Sequence, residues 1–409
     1  MAIAKGVNKR VAVKKETTWG TPAGASGAKY LRRVTTGFNL KKETYESNEI
    51  RTDYQVADYR HGVRSAEGTL SGELSPGSYA DFMAAVVAKD FATVSAITAL
   101  TLSIAASGTL YTVTRSAGDW IVDGVRVGDV IALSGGSLNV ANVGNNIVVV
   151  SMTSTVLTVL CTSSTALFVQ AGVAGCTATI RGKTTLAPLT GHTDDSFTFE
   201  EWYSDITQSE VYTGNKVGSM AVKLPATGLV TVDFNFMGKN AARDTTTLLP
   251  GTAVESQTYD IHSGSTGPAC YIWVDNAPLV GTYIQSASLT YDNSLRAQEA
   301  VCELGAIGIG SGTISLTGTL EVYFANGSLF DKMVSNTNIS FVLSTLDNAG
   351  NGYVITVPKA NISNLTTQAG GKDQDMILSI EFTGLRDNTN ADSTLRQVIF
   401  IDRVGAAVV

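Results

Sequence analysis

The sequence predicts a mainly β protein with two related β domains, a short helix beside each, and a small third all-β module inserted into the first. Three observations carry this prediction. Short runs rich in Val, Ile and Thr recur along the 409 residues, and 40 glycines with only 8 prolines supply turns between them. A pair of motifs is written twice. The composition also changes abruptly after residue 91.

The repeated motifs couple a strand-like run to a short helix. In the first copy, at 69–83, TLSGEL leads into GSYADFM, and in the second, at 315–333, SLTGTL leads into GSLFDKM. A further pair follows at the matching place in each half, VTVDFNF at 230–236 and LSIEFTG at 378–384. Self-similarity of this kind indicates a repeated architecture, so we expect two fused domains of one fold.

The first domain is expected to comprise residues 1–91 and 188–245. Residues 1–30 are predicted to form an extended arm, and the charged, aperiodic loop at 41–64 is long enough to be a contact element. The predicted strand 66–74 is followed by Ser-Pro-Gly-Ser, which favours the start of an amphipathic helix of about three turns. Alternating segments then continue the domain as strands, at 196–205, 216–225 and 228–239.

The inserted module is predicted at 92–187, where Thr, Ser, Val, Ala and Gly dominate and turn signals separate short apolar runs. The second domain is expected at 246–409. Its elements follow the order of the first domain, with a strand, a long loop, a strand, a helix and three strands. They are predicted at 286–292, 293–312, 313–324, 327–336, 339–347, 353–358 and 376–387.

Alternation along the repeated strands puts apolar and polar side chains on opposite faces. In 313–324 and 376–383, for example, Leu, Ile, Val and Phe share one face, while hydroxyls and a few acids share the other. Asp233 and Glu381 fall at the same place when the motif pair is aligned. An antiparallel sheet can leave such a face in water, and the repeated acid indicates a shared role.

The net charge of −7 is spread unevenly along the chain. Residues 1–64 hold 13 basic and 6 acidic side chains, so the remainder is strongly acidic. A basic segment could bind nucleic acid or dock on an acidic neighbour of its own kind. We favour docking, because the basic residues alternate with acids and lack an aromatic stacking platform.

The sequence offers no catalytic, cofactor-binding or metal site. The spacing of Cys161, Cys176, Cys270 and Cys302 fits no zinc motif, so isolated buried thiols in a reducing compartment are expected, with a Cys161–Cys176 disulfide as the alternative. The three histidines occupy no metal-ligand spacing, and no G-x-S-x-G nucleophile motif occurs. We therefore predict a protein that is not an enzyme and needs no cofactor.

Targeting and membrane signals are equally lacking. No stretch approaches the ~20 apolar residues that span a bilayer, and the N-terminus has no apolar signal-peptide core. We therefore expect assembly in a cytoplasm without membrane insertion.

Five segments follow one another in a specific order along the chain: KRVAVKKETTWGTP, SNEIRTDYQVADYRHG, GTLSGELSPGSYADFMAAV, YTGNKVGSMAVKLPATGLVTVDFNFMGK and GKDQDMILSIEFTGLRD. Together they resemble the major tail tube proteins of long-tailed (siphovirus-like) bacteriophages. The resemblance covers about 1–91 and 190–390, and its motifs are diffuse while their order is specific.

The resemblance implies a β-sandwich with a flanking helix, whose inner sheet joins its neighbours' sheets into a ring-shaped barrel. Six such domains per ring are usual. A chain that contains two would form a homotrimer with pseudo-hexameric rings, and the alternative is a hexamer. Stacked rings would make a tail tube for passage of double-stranded DNA in the virion, with tape measure, tail terminator and distal tail proteins as partners and assembly in the host cytoplasm.

Two sets of site residues follow from that resemblance. The polar strand faces would line the channel, with Glu73, Asp233, Glu321 and Glu381 as lumen-facing residues. The long loops would bridge to the next ring through Arg51, Asp53, Tyr54, Asp58, Arg60, Glu299 and Glu303. The competing hypothesis is a secreted or surface-displayed β-domain that binds glycans or a receptor; it predicts a signal sequence and exposed aromatic platforms.

Overall fold

A computed structural model of the chain describes most of its residues. The described residues are 3–24, 26–161, 166–249, 253–256, 260–265, 270–274, 277–278, 283–325, 327–346, 351–368, 371–372, 374–388 and 395–400. The C-terminal residues 401–409 of the predicted second domain and the side chain of Cys270 lie outside this description.

The described residues form 25 strands and two α-helices, so the predicted mainly β class is confirmed. The first strands are β1 (Lys9–Lys15), β2 (Lys29–Tyr30), β3 (Thr35–Glu46), β4 (Tyr59–Glu73), β5 (Ile97–Ser107), β6 (Leu110–Arg115), β7 (Val130–Gly135), β8 (Ile147–Met152), β9 (Val156–Cys161), β10 (Gln170–Ile180), β11 (Lys183–Leu186), β12 (Phe197–Tyr203) and β13 (Gln208–Pro225). The others are β14 (Thr231–Gly238), β15 (Asn240–Asp244), β16 (Cys270–Val274), β17 (Ala277–Pro278), β18 (Ile284–Asp292), β19 (Arg296–Gln298), β20 (Gly308–Gly310), β21 (Ser315–Tyr323), β22 (Ile339–Leu346), β23 (Gly352–Gln368), β24 (Ile377–Gly384) and β25 (Arg396–Phe400). The helices are α1 (Ala80–Val86) and α2 (Ser328–Val334).

Eight antiparallel strands form one continuous sheet, which we call the central sheet. Its strand order is β3-β4-β14-β13-β18-β21-β24-β23. The first four strands come from the first half of the chain and the last four from the second half. The two halves meet where the C-terminal part of β13 pairs with β18.

The two halves of the central sheet repeat each other strand by strand. In the first, Phe38, Gly68, Phe236 and Val217 are cross-strand partners in one row. The corresponding row of the second half is Leu289, Gly318, Phe382 and Ile362. A bulge follows directly in each half, after Val217 and after Ile362. Shared registers and shared bulges are specific features of a fold, so the duplication extends to the pairing itself.

This register corrects the alignment of the repeated motifs. GTL at 68–70 corresponds to GTL at 318–320, and the match then runs without a gap into the helices. TLSGEL therefore does not align with SLTGTL. The residue equivalent to Glu381 is Asn235, two positions beyond Asp233. A slip of two residues leaves every side chain on the same face, which is why alternation alone did not detect it.

A second layer packs over the apolar face of the central sheet. In the first half it consists of β2-β1-β12-β13-β15, and in the second of β17-β16-β22-β23-β25-β11. The long strands β13 and β23 belong to both layers, because their N-terminal parts pair with strands of the second layer and their C-terminal parts pair with strands of the central sheet. Buried apolar side chains from both halves form one contiguous core between the layers.

Helix α1 closes the core of the first half. Phe82, which is 2% exposed, packs its ring against four phenylalanines of the sheets, Phe197, Phe199, Phe234 and Phe236. Both helices are shorter than predicted, since the backbone turns to positive φ at Ala88 and Asn336 and the hydrogen-bonded helix ends there.

Strands β5 to β10 close into a separate six-stranded barrel with its own core. The barrel spans 97–180, within the predicted insert 92–187, whereas β11 at 183–186 pairs with β25 of the second layer. The barrel packs on the second half of the chain, where Val130, Val148 and Val150 form a buried cluster with Val342 and Val354.

Two predicted segments look different in the structure. Residues 9–15 of the predicted arm form strand β1 and pair with β12, because Val11, Ala12 and Val13 are buried in the second layer. Half of the predicted loop 41–64 is a two-stranded extension of β3 and β4, which leaves a tip at 47–58. Both faces of that extension are largely exposed, so its sequence lacks the alternation that marks a strand.

The cysteines agree only in part with the simpler prediction. No disulfide joins Cys161 to Cys176, but of the cysteine side chains that the structure describes Cys176 is buried, Cys161 is partly exposed and Cys302 is exposed.

Candidate functional site

The face of the central sheet that points away from the core is polar along its whole width; we call it the polar face. One row of cross-strand partners shows its composition: Thr35, Ser71, Asp233, Ala221, Thr290, Thr317 and Thr383. Alternate positions on the same strands are buried. The predicted segregation of hydroxyls from apolar residues therefore holds in both halves.

All four residues predicted to face a lumen lie on this polar face. Glu73, Asp233, Glu321 and Glu381 occupy outward positions on β4, β14, β21 and β24, and each retains solvent exposure. The structure thus brings onto one surface residues that lie more than 300 positions apart in sequence.

Charge on the polar face is predominantly negative. The acidic side chains are Glu67, Glu73, Asp233, Asp292, Glu321 and Glu381, and the basic ones are Lys41 and Lys223. Both lysines lie beside an acid, since Lys223 is 3.6 Å from Asp233 and Lys41 is 3.6 Å from Glu67. The surface therefore presents hydroxyls and carboxylates, with little unpaired positive charge.

Short hydrogen bonds between neighbouring strands hold several of these side chains in place. The Ser286 hydroxyl donates to the Glu321 carboxylate at 2.7 Å, and the hydroxyls of Ser288 and Thr319 are 2.7 Å apart. Cross-strand pairs of this kind stabilise a sheet by roughly 0.2–1 kcal/mol each. They also give the polar face a fixed pattern of partners across the boundary between β18 and β21.

The predicted ring-stacking residues of the first loop cluster at the tip of the β3–β4 extension. Arg51 donates to Asp53 at 2.8 Å, and Arg60 donates to Asp58 at 3.2 Å. These guanidinium groups lower the pKa of both carboxyls. Tyr54 is 98% exposed at the end of the tip. The charges of the tip are therefore already paired with each other.

Glu299 and Glu303 lie in the corresponding loop of the second half. Both are exposed, on the connection between β19 and β20. That loop contacts the paired part of the β3–β4 extension, 41–46 and 59–64, which we call its stem, because the Arg64 amide donates to the Leu304 carbonyl at 2.8 Å. The structure thus separates these two glutamates from the exposed tip and places them beside the stem of the β3–β4 extension.

Sequence reasoning missed one feature of the central sheet and one of helix α2. It did not identify the pairing of β13 with β18, and it did not find that α2 exposes Phe330 and Val334. The repeat itself carried the relevant signal, because the equivalent positions on α1 are Ala80 and Ala84, and both are 4% exposed.

Comparison with known families decides the assignment. A family model described as a phage tail tube protein matches residues 6–384. The chain belongs to the phage tail tube family. A search of the curated proteins found no match. As a member of this family it is a structural component of the phage tail that self-assembles into a tube, and the resemblance seen in the sequence is confirmed.

The described residues hold no group of three or more His, Cys, Asp or Glu side chains placed to bind a metal ion. Neither α1 nor α2, the helices of the part of the chain that the structure describes, has the length and apolar character needed to cross a membrane.

Proposed function

We propose that three chains close into a ring whose central sheets form one continuous barrel, and that stacked rings make the tail tube channel for double-stranded DNA. The observation that carries this proposal is the pairing of β13 with β18, which joins the two halves into one eight-stranded sheet. Three such sheets give a barrel of about 24 strands, and barrels of 16–18 strands already enclose a water-filled channel.

The chemistry of the polar face suits the wall of such a channel. Duplex DNA carries about one negative charge per 1.7 Å of axis, and proteins hold it by releasing its counterions to Lys and Arg. Carboxylates such as Asp233 and Glu381 repel phosphates, while Thr and Ser hydroxyls interact with water. DNA therefore meets a wall that does not retain it.

Ring closure also gives a physical reason for assembly. An open sheet presents unpaired N–H and C=O groups along both edge strands, and closure into a barrel removes those edges. Among the described strands, β3 has no partner beyond β4, and the C-terminal part of β23 has none beyond β24. Each chain therefore carries two edges that a neighbouring copy can satisfy.

The remaining parts of the proposal rest on the family membership together with this arrangement. The first tail tube domain comprises 1–91 and 188–245, the second comprises 246–409, and the barrel within 92–187 decorates the outside. The exposed tip at 47–58 extends towards the next ring. Tape measure, tail terminator and distal tail proteins are the other partners, in the tail of a siphovirus-like virion assembled in the host cytoplasm.

Site-specific labelling tests which face lines the channel. We would replace Glu381 with Cys in a Cys302→Ser background, label the monomer with a maleimide gold cluster, and examine the assembled particles by cryo-electron microscopy. Gold density inside the tube is expected. A matched label at Ser107→Cys, exposed on the inserted barrel, should appear outside. Gold from Glu381→Cys on the outer surface, or protein that stays monomeric under all conditions, would contradict the proposal.

A further inference from the structure

We propose that the joint between neighbouring chains repeats the joint inside the chain, with β23 pairing to β3 of the next copy so that Thr366 lies opposite Asn39. This inference rests on the proposed ring and specifies its contact. The partner is a second copy of this chain, and the residues of the contact follow from the strand registers.

The internal joint supplies the template. Ser219 pairs with Asp292, Met220 with Tyr291, and Ala221 with Thr290 in an antiparallel ladder. Met220 and Tyr291 point to the core side and are fully buried, while Ala221 and Thr290 point to the polar face. The joint therefore continues the core and the polar face without interruption.

The repeat then transfers these pairs to the free edges. The bulge that follows Val217 in β13 follows Ile362 in β23, so Ser219, Met220 and Ala221 correspond to Asn364, Leu365 and Thr366. Phe38 lies opposite Gly68 in the first half as Leu289 lies opposite Gly318 in the second, so Phe38 is equivalent to Leu289. Thr290, Tyr291 and Asp292 therefore correspond to Asn39, Leu40 and Lys41. The transferred pairs are Asn364 with Lys41, Leu365 with Leu40, and Thr366 with Asn39.

Burial at the two free edges fits this transfer. Leu365 and Leu40 occupy core-side positions, yet both are only half-buried, whereas their counterparts Met220 and Tyr291 are fully buried. Pairing β23 with β3 of the next copy would bring the two leucines together, as in the internal joint. Burying a leucine completely is worth about 1.5–3 kcal/mol relative to leaving it exposed, so the contact has a favourable apolar component.

The helices show the same difference between a covered and an uncovered joint. The second half covers α1 and the turn before it, because the Tyr353 hydroxyl donates to the Ser75 carbonyl and accepts from the Gly77 amide, and Asn293 donates to the Val86 carbonyl. The pKa of Tyr353 is raised by its burial there.

In the described residues, the corresponding side of α2 is exposed. Phe330 is 50% exposed and Val334 is 68% exposed, and Phe324 before the helix is 43% exposed. Isolated apolar residues on a surface are ordinary, but Phe330 and Val334 are four residues apart and share one face of α2, and a contiguous apolar set marks an interaction site. The next copy's first half would cover these residues as the second half covers α1.

Disulfide cross-linking tests the register. Antiparallel partners have Cα atoms about 4.5–5.5 Å apart, within the range that a disulfide bridges. We would assemble Asn39→Cys/Thr366→Cys protein in a Cys302→Ser background, oxidise it, and run non-reducing gels. Covalent dimers and trimers are expected, with the ladder ending at three chains. Ala221→Cys/Thr290→Cys is the positive control, since the template joint should give an intrachain disulfide.

A second pair provides the matched negative control. Thr35 lies on the same strand and face as Asn39 but four residues away, or about 13 Å along a strand that rises ~3.3 Å per residue. Thr35→Cys/Thr366→Cys should not link chains; equal linking would overturn the register. Microscopy could show rings or tubes in which the internal control links but Asn39→Cys and Thr366→Cys do not. That result would overturn this joint and leave the tube function standing.

Two further outcomes are informative. A ladder that continues to six chains would support the joint and overturn the three-chain ring. Parental protein that never assembles would overturn the proposed function and the joint together. As an independent measurement, Phe330→Asp should abolish assembly with unchanged circular dichroism of the monomer; normal rings from that variant would remove α2 from the contact.

Discussion

A single added methyl group can perturb the docking of the inserted barrel on the second half of the chain. Gly128 has φ of +90° and lies against β23, where an added Cβ would come within 2.0 Å of Thr356 Oγ1 and 3.5 Å of Val354. Gly124 has the same φ of +90°, but its added Cβ would meet only Val94, at 3.9 Å. Gly128→Ala and Gly124→Ala therefore share the backbone strain and differ in the clash.

The expected magnitudes follow from these distances. A non-glycine residue in the left-handed region costs roughly 1–2 kcal/mol, so Gly124→Ala should destabilise its segment by about that much. Gly128→Ala adds overpacking against a buried threonine, which typically costs about 1–3 kcal/mol. Because Thr356 can be shortened, Thr356→Ala should recover part of the extra cost in the double variant.

Opening of the docking surface can be measured by thiol labelling. Val150 is 2% exposed within the docking cluster, so a Val150→Cys reporter in a Cys302→Ser background should react only when the barrel undocks. Since about 1.4 kcal/mol corresponds to tenfold, the extra cost of about 1–3 kcal/mol should make Gly128→Ala label roughly 5- to 140-fold faster than Gly124→Ala. Equal labelling rates in the two variants would refute docking through this contact.

The remaining predictions concern the core, the tip and the insert. Phe82→Ala should lower the free energy of unfolding by about 3–5 kcal/mol in denaturant titrations, whereas Phe330→Ala should change that of the monomer by less than about 1 kcal/mol because its ring is half exposed. Arg51 holds the pKa of Asp53 below its ordinary value of 3.8. The pairing therefore stabilises the tip fully above about pH 4, and this stabilisation is lost as the pH falls through the lowered pKa. NMR titration of the Asp53 carboxyl would detect the lowered pKa, and an ordinary pKa would contradict the prediction. Deleting the barrel residues 97–180, which leaves β11 to pair with β25, should leave ring assembly intact by microscopy while reducing solubility, since the deletion uncovers a buried apolar cluster. Loss of rings would show that the barrel is needed for assembly.

Sequence alternation predicted the faces of the central sheet correctly. Buried and outward positions alternate along β4, β14, β21 and β24 as expected, and all four predicted acids lie on the polar face. Alternation does not specify which residues face each other, because a slip of two positions preserves the pattern. The alignment of Asp233 with Glu381 failed for that reason, and the matching cross-strand rows together with the bulges established the true register.

Features that depend on contacts between distant segments were not predictable from local pattern. Val342 and Val354 lie in apolar runs typical of any buried strand, so nothing in them signals that the inserted barrel covers their outer side. The stem of the β3–β4 extension pairs although its sequence shows no regular alternation, because each strand satisfies the other's backbone groups while both faces remain in water. In contrast, Phe330 and Val334 could have been found by comparing the two helix motifs position by position.

The symmetry of the assembled ring tests the central claim most directly. A cryo-electron microscopy reconstruction of the tube, computed without imposed symmetry, should show three chains per ring, with the sheets of their six halves closing one barrel and the acids of the polar face towards the lumen. A ring of six chains, or a lumen lined by any other face of the chain, would contradict the account.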